Sequence, residues 1–177
     1  QAQGAIVWRV GGSTGVDEPQ LSGAYFLGPP LPYEGELYCV VDIRGETKLV
    51  VLDAATGRLR WKQQLVQAAN SMPRVDTERN CQALSPTIAD GVILCPTGVG
   101  AIVAVDLMSH GLRWGAAYST HRSNVNTAFL QRGAFGEGPE FSALERRWQE
   151  PGMIAQDGVV AVSPPESDEM FCRDILT

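Results

Sequence analysis

The sequence predicts an all-β fold of β-propeller blades, each a sheet of four antiparallel strands, with about three blades of one propeller domain in residues 1–177. Three observations predict it. "LDAATGRLRW" (Leu52 to Trp61) returns 53 residues later as "VDLMSHGLRW" (Val105 to Trp114). Gly35, Gly91 and Gly158 open the apolar runs "GELYCVV", "GVILCPT" and "GVVAVSP"; a second apolar run follows each, and then Asp53, Asp106 or Asp174, at 18, 15 and 16 positions from the glycine. The turns between runs are short, so neighbouring strands pair antiparallel. Four such strands repeating about every 50 residues mark propeller blades rather than a sandwich.

The elements follow in order. "GAIVWRV" reads as the outer strand of a preceding blade ending near residue 12, with Trp8 lying 53 residues before Trp61. "GGSTG" (Gly11 to Gly15) reads as a connector. Blades are expected over 24–66 and 84–118, and an incomplete one over 151–177, with insertions at 67–83 and 119–150. In the second copy the expected strands are Ser85 to Ile88, Val92 to Pro96, Ala101 to Asp106 and Leu112 to Ala117. The differing glycine-to-aspartate distances are assigned to the turns "DIRGET", "PTGVG" and "SPPESDE".

The turn after each third strand has a local chemical logic. Asp53 accepts backbone N–H bonds from the turn that follows, Thr56 supports it, and Gly57 supplies a positive φ. In the fourth strand Leu59 and Trp61 share one face while Arg58, Arg60 and Lys62 share the other. Trp61 is thereby aimed at a sheet face, where a neighbouring blade buries its ring. In the second copy His110 stands at the position of Gly57 and Gly111 follows. Either His110 takes the left-handed backbone, which His tolerates better than most residues, or the turn shifts by one.

Composition bounds the function. Hydrophobic residues make up 44%, the net charge is −6 and the pI is near 4.9. No clustered Lys and Arg offer a nucleic-acid footprint. Apolar runs fall far short of the roughly 20 residues of a membrane-spanning helix. Cys39, Cys81, Cys95 and Cys172 form no CxxC pair and have no His at metal-ligand spacing, so they read as buried thiols, with a disulfide left open. The chain opens on Gln1 and stops within a repeat, so it reads as an excerpt whose parent continues with a Gly and a Trp near position 182.

At the residues Val51, Asp53, Gly57, Arg58 and Trp61, and again at Ala104, Asp106, Gly111 and Trp114, the sequence resembles the pyrroloquinoline-quinone-like (PQQ-like) propeller repeat family. Blades of that family end in Ala-x-Asp-x-x-x-Gly-Lys-x-x-Trp. Asp174 and Thr177 match Asp53 and Thr56 in a third copy. "AYFLGPPLP", "RRWQEPGM" and "VSPPESDE" look like a planctomycete-type group of large bacterial envelope propellers. The resemblance implies a periplasmic or cell-envelope location. It is compatible with a non-catalytic binding or assembly scaffold, with a fragment of a quinone-dependent alcohol or sugar dehydrogenase, or with the sensor half of a signalling chain.

Membership among the dehydrogenases would imply a calcium ion held by Glu, Asn and Asp, a catalytic Asp and a disulfide between adjacent cysteines. No adjacent cysteines are present. Asp53, Asp106 and Asp174 are accounted for as turn residues, GxSxG is absent, and "TGVGA" (Thr97 to Ala101) precedes a strand, so it is a hairpin rather than a phosphate loop. His110 and His121 have no catalytic company. No catalytic, cofactor or metal residue is therefore assigned. The docking set is Asp53, Thr56, Gly57, Trp61, Asp106, Gly111, Trp114 and Asp174. Binding, to a protein or small-molecule partner, falls to the insertions. In the second, "SALE" (Ser142 to Glu145) is a capping-box pattern, and Arg146, Arg147 and Trp148 offer a basic and aromatic surface, unless Trp148 packs on the propeller and the arginines are solvated.

Overall fold

A computed structural model describes residues 4–15, 17–67, 83–120 and 152–177. Arg146, Arg147, Trp148, His121, Cys81 and the "SALE" pattern lie outside the described residues. Among the described residues twelve strands form three antiparallel sheets. The first holds β1 (Ala24–Phe26), β2 (Leu31–Tyr33), β3 (Glu36–Ile43), β4 (Glu46–Asp53) and β5 (Leu59–Gln67). Strands β1 and β2 pair with opposite ends of β3, so together they form one interrupted inner strand. The second sheet is β6 (Thr87–Ala89), β7 (Val92–Pro96), β8 (Ala101–Asp106) and β9 (Leu112–Ala117); the third is β10 (Gly152–Gln156), β11 (Val159–Ser163) and β12 (Phe171–Asp174). The chain is all-β, in sheets of the propeller kind. A 3₁₀ turn, Pro19–Leu21, is capped by the Glu18 side chain.

The central strands carry continuous apolar runs because both faces are covered. Tyr38, Val40, Leu49 and Val51 face Ile93, Cys95, Val103 and Val105 of the second sheet. On the second sheet's other face Leu94, Ile102 and Ala104 meet Val160, Val162 and Ile175 of the third. The far face of the first sheet presents Cys39, Val41, Val50 and Leu52 to Leu21 and Ala24. Each such aliphatic side chain contributes roughly 1.5–3 kcal/mol on burial. The sheets approach closely where Leu84 N–H donates to the Leu27 carbonyl at 2.9 Å. A Cβ on Gly28 would lie 2.4 Å from the Leu84 backbone, so glycine is required there by space alone.

The structure departs from the sequence expectations at several points. The first strand of the second sheet is Thr87–Ala89 rather than Ser85 to Ile88, because Pro86 has no N–H for the ladder. "DIRGET" is mostly strand: Ile43 pairs with Glu46, and only Arg44 (φ 57°) and Gly45 (φ 84°) turn. Two consecutive left-handed residues make the tight hairpin that suits strand twist. Cys39 and Cys95 are buried, but Cys172 is exposed, since it points away from the second sheet on the outer side of β12. All three thiols are free.

Candidate functional site

One edge of the sheets repeats almost atom for atom. Asp53 Oδ1 accepts the N–H groups of Ala55 (3.1 Å) and Thr56 (2.8 Å) and the Thr56 hydroxyl (2.8 Å). Asp106 Oδ1 does the same for Met108 (3.1 Å), Ser109 (2.8 Å) and the Ser109 hydroxyl (2.9 Å). Asp174 Oδ1 accepts from Leu176 (2.8 Å) and Thr177 (3.0 Å). A register shift precedes the aspartate in both complete copies, between Val51 and Leu52 and between Ala104 and Val105; in the first it breaks the expected alternation, so Leu59 packs on the far face with Leu52 while Trp61 packs towards the second sheet with Val51, and the two do not share a face. The hairpins beside these turns repeat too. Glu34-Gly35, Asp90-Gly91 and Asp157-Gly158 all have two positive φ angles, and each glycine carbonyl accepts the N–H of the residue after the aspartate, at 3.0, 2.9 and 2.9 Å.

These bonds decide the aspartates' chemistry. The Thr56 hydroxyl and N–H, helped by the Arg60 guanidinium at 2.5 Å, hold the Asp53 carboxyl down to about 2. Asp106 is lowered chiefly by the Ser109 N–H, and Asp174 by those of Leu176 and Thr177. A carboxylate committed in this way makes a poor proton acceptor at neutral pH.

Each turn also receives the tryptophan of the preceding repeat. Trp8 Nε1–H donates to the Ala54 carbonyl at 3.2 Å, and Trp114 Nε1–H to the Ile175 carbonyl at 2.9 Å; both acceptors directly follow the turn aspartate. Gly57, at φ 70°, lies beneath the Trp8 ring, and a Cβ there would come within 2.6 Å of it. Trp61 reaches the second sheet's turn differently, stacked on the His110 imidazole with centroids 4.0 Å apart and planes 11° apart. His110 takes the left-handed backbone (φ 60°). Gly111 does not, and a Cβ on it would meet only Ser109 Oγ at 3.5 Å, so its place in the docking set has no steric or conformational basis.

The opposite edge does not repeat. Its hairpins are Arg44-Gly45, the segment 97–100 and the segment 164–170, and the insertions leave from β5 and β9 beside the first two. Here Glu166, only 6% exposed, accepts the Tyr118 hydroxyl at 2.5 Å and the Gly100 N–H at 3.5 Å on Oε1, while its Oε2 has no hydrogen-bond partner among the described residues. Burial, and then the Glu166 charge, push the Tyr118 phenol up. Nothing in "SPPESDE" distinguishes Glu166 from its acidic neighbours in sequence.

A further feature is an apolar cavity of about 250 Å³ on the far face of the first sheet, lined by Trp8, Val10, Phe26, Leu37, Cys39 and Leu52. Its one ionisable group is inert, since burial pushes the Cys39 thiol up to about 12. Among the described residues no group of three or more His, Cys, Asp or Glu side chains is placed to hold a metal ion, and no helix is long and apolar enough to cross a membrane.

Comparison with solved structures finds a europium-containing methanol dehydrogenase (TM-score 0.44, 16% identity, 84% of this chain and 30% of that one). It also finds BamB from Moraxella catarrhalis (TM-score 0.42, 12% identity, 82% and 38%). A third is the quinohemoprotein alcohol dehydrogenase ADHIIG from Pseudomonas putida HK5 (TM-score 0.32, 12% identity, 78% and 29%). The chain thus spans less than two fifths of the length of each. No curated protein matches it. The family model described as outer membrane protein assembly factor BamB matches residues 1–106, well over half of the chain. The chain belongs to that family, a family of PQQ-like β-propeller proteins.

Proposed function

We propose that the protein is a non-catalytic propeller module, a binding or assembly scaffold of the periplasm or cell envelope, of the planctomycete-type group. The observation that carries this reading is the commitment of Asp53, Asp106 and Asp174 to turn hydrogen bonds, which gives the repeated carboxylates a structural role. The family match supports an assembly role. In this reading residues 24–66, 84–118 and 151–177 are blades and residues 1–12 the end of a preceding one, although residues 4–11, expected as its last strand, form no strand here. The rigid aspartate-turn edge holds the sheets, and the partner contacts the opposite edge, with Arg146, Arg147 and Trp148 of the second insertion as the contacting group. Binding sites commonly lie on loops carried by such a scaffold.

Two measurements test it. Protein supplied with pyrroloquinoline quinone and calcium is expected to reduce no dye with alcohols or sugars; reproducible turnover would replace this reading with the quinone dehydrogenase. Photo-crosslinkers at positions 146 and 148 in intact cells are expected to trap an envelope protein at a discrete mass, whereas crosslinkers at the aspartate turns are not.

A further inference from the structure

The two described joints between sheets are built from the same parts. A row of directly paired residues faces the next sheet: Leu31, Tyr38 and Val51 on the first sheet, Thr87, Leu94 and Ala104 on the second. The next sheet meets Tyr38 and Val51 with Ile93, Cys95 and Val105, and meets Leu94 and Ala104 with Val160 and Val162. The fourth strand of the earlier sheet then carries a tryptophan across, Trp61 opposite Val51 and Trp114 opposite Ala104.

Both halves of such a joint also stand open, on opposite faces of the described structure. The corresponding row of the third sheet is Ile154, Ala161 and Cys172; Ile154 is 72% exposed and Cys172 is exposed. On the first sheet the positions of Ile93, Cys95 and Val105 are taken by Leu37, Cys39 and Leu52, and these three line the apolar cavity beside Trp8. Strand β12 pairs only with β11 among the described residues. Residues 4–10, which carry Trp8, form no strand, and Ala5, Ile6 and Val7 make no hydrogen bond to a described residue.

We propose that these open halves fit each other, so that copies of this chain associate head to tail, the third sheet of one seated on the first sheet of the next. The row Ile154, Ala161 and Cys172 enters the cavity, and residues 4–10 of the receiving copy add a fourth strand to β12. The repeat fixes the register. Asp53 N–H donates to the Arg58 carbonyl and Asp106 N–H to the Gly111 carbonyl, both at 2.9 Å, and both acceptors lie three residues before the tryptophan. The same offset sets the Ala5 carbonyl on the Asp174 N–H of the other copy, Ile6 opposite Arg173 and Trp8 opposite Cys172. Trp8 already sits on its own first-sheet turn, where the tryptophan of a preceding sheet belongs. Strand addition satisfies an open edge with main-chain bonds, and covering Ile154 takes an exposed apolar side chain out of water. The two surfaces differ, so the contact is heterologous and can join more than two copies.

Light scattering tests the association from low to high micromolar concentration. The wild-type mass is expected to rise to at least twice that of one chain, and Ile154→Glu to hold it at one chain throughout. Ile154 is exposed within one copy, so an unchanged thermal midpoint in dilute solution shows that this variant folds. Arg44→Glu, at the edge opposite the aspartate turns, is expected to associate as the wild type does. The register is read in a Cys81→Ser, Cys172→Ser background. There Ile6→Cys combined with Arg173→Cys, directly opposed in the joint, is expected to give a disulfide-linked ladder on mild oxidation, and neither substitution alone is. A mass of one chain at every concentration, or association that survives Ile154→Glu, overturns the proposal. So does equal linking of the Arg173→Cys variant to itself, which would report β12 paired with β12.

Discussion

The two edges of the sheets are built on different rules. At the aspartate-turn edge the same bonds recur in three copies within a few tenths of an ångström. At the opposite edge the hairpin grows from Arg44-Gly45 to segment 97–100 to segment 164–170, and both insertions leave from it. One edge is constrained by its neighbour, because each turn must receive a tryptophan. The other receives no tryptophan, and its one described tie across sheets, Glu166 to Tyr118 and Gly100, is not repeated between the first and second sheets. Repeated bonding at the first edge therefore supplies the frame, and the second edge is where the three copies differ.

The most severe test of this contrast is to remove a docking ring. Trp114→Ala deletes a half-buried indole between the second and third sheets together with its bond to Ile175, and is expected to cost about 2–4 kcal/mol in chemical denaturation. An exposed tryptophan-free position at the other edge, such as Arg44→Ala, is expected to change stability by less than about 0.5 kcal/mol. Comparable losses at both sites would erase the distinction.

A smaller loss is expected from Gly57→Ala, about 1–3 kcal/mol, because the residue keeps a left-handed backbone and its new methyl meets the Trp8 ring. Gly111→Ala is its control. With ordinary φ and open space, it is expected to be neutral or slightly stabilising, since alanine restricts the unfolded chain more than glycine does. Urea midpoints of the pair separate a glycine that is needed from one that is only present.

These two glycines also show how far the sequence could be read. The 53-residue echo, the turn aspartates and the three glycine-led strand pairs were legible because the bonds they make are local and each residue type has one physical reason to be there. The partner of each tryptophan was not. Spacing shows that Trp61 faces outward from its strand, but not that it meets the next repeat's turn 49 residues on, at His110. Nor could spacing choose between His110 and Gly111, since the choice is made by the ring that lies above. Glu166 was illegible for a related reason. Its burial comes from Tyr118 and Gly100, residues of another sheet, brought over it by packing.

Acid separates the edges more gently. Asp53 has a folded value near 2, below the roughly 4 of an unfolded aspartate. Its stabilising contribution is therefore complete above the unfolded value and is lost as the pH falls through about 2. Asp53→Asn is expected to lower the thermal midpoint clearly at pH 7 and progressively less towards pH 2. A pH-independent difference would mean that the carboxylate's charge is not what the turn uses.

The smallest expected effect is at Glu166, and it probes the other edge directly. Its Oε1 is used by Tyr118, yet its Oε2 is buried without a donor, an arrangement that taxes the folded state. Glu166→Gln keeps an acceptor for the Tyr118 hydroxyl and removes the buried charge, so stability is expected to hold or rise, by at most about 1 kcal/mol at pH 7. Tyr118→Phe takes away the hydroxyl donor and leaves Oε1 only the long bond from the Gly100 N–H at 3.5 Å, so it is expected to destabilise by about 1–2 kcal/mol. If the frame lay at this edge as well, both substitutions would be costly, as removing any one bond of an aspartate turn is expected to be. A tolerant Glu166 beside a sensitive Tyr118 marks an edge whose packing is satisfied but whose polar chemistry is not.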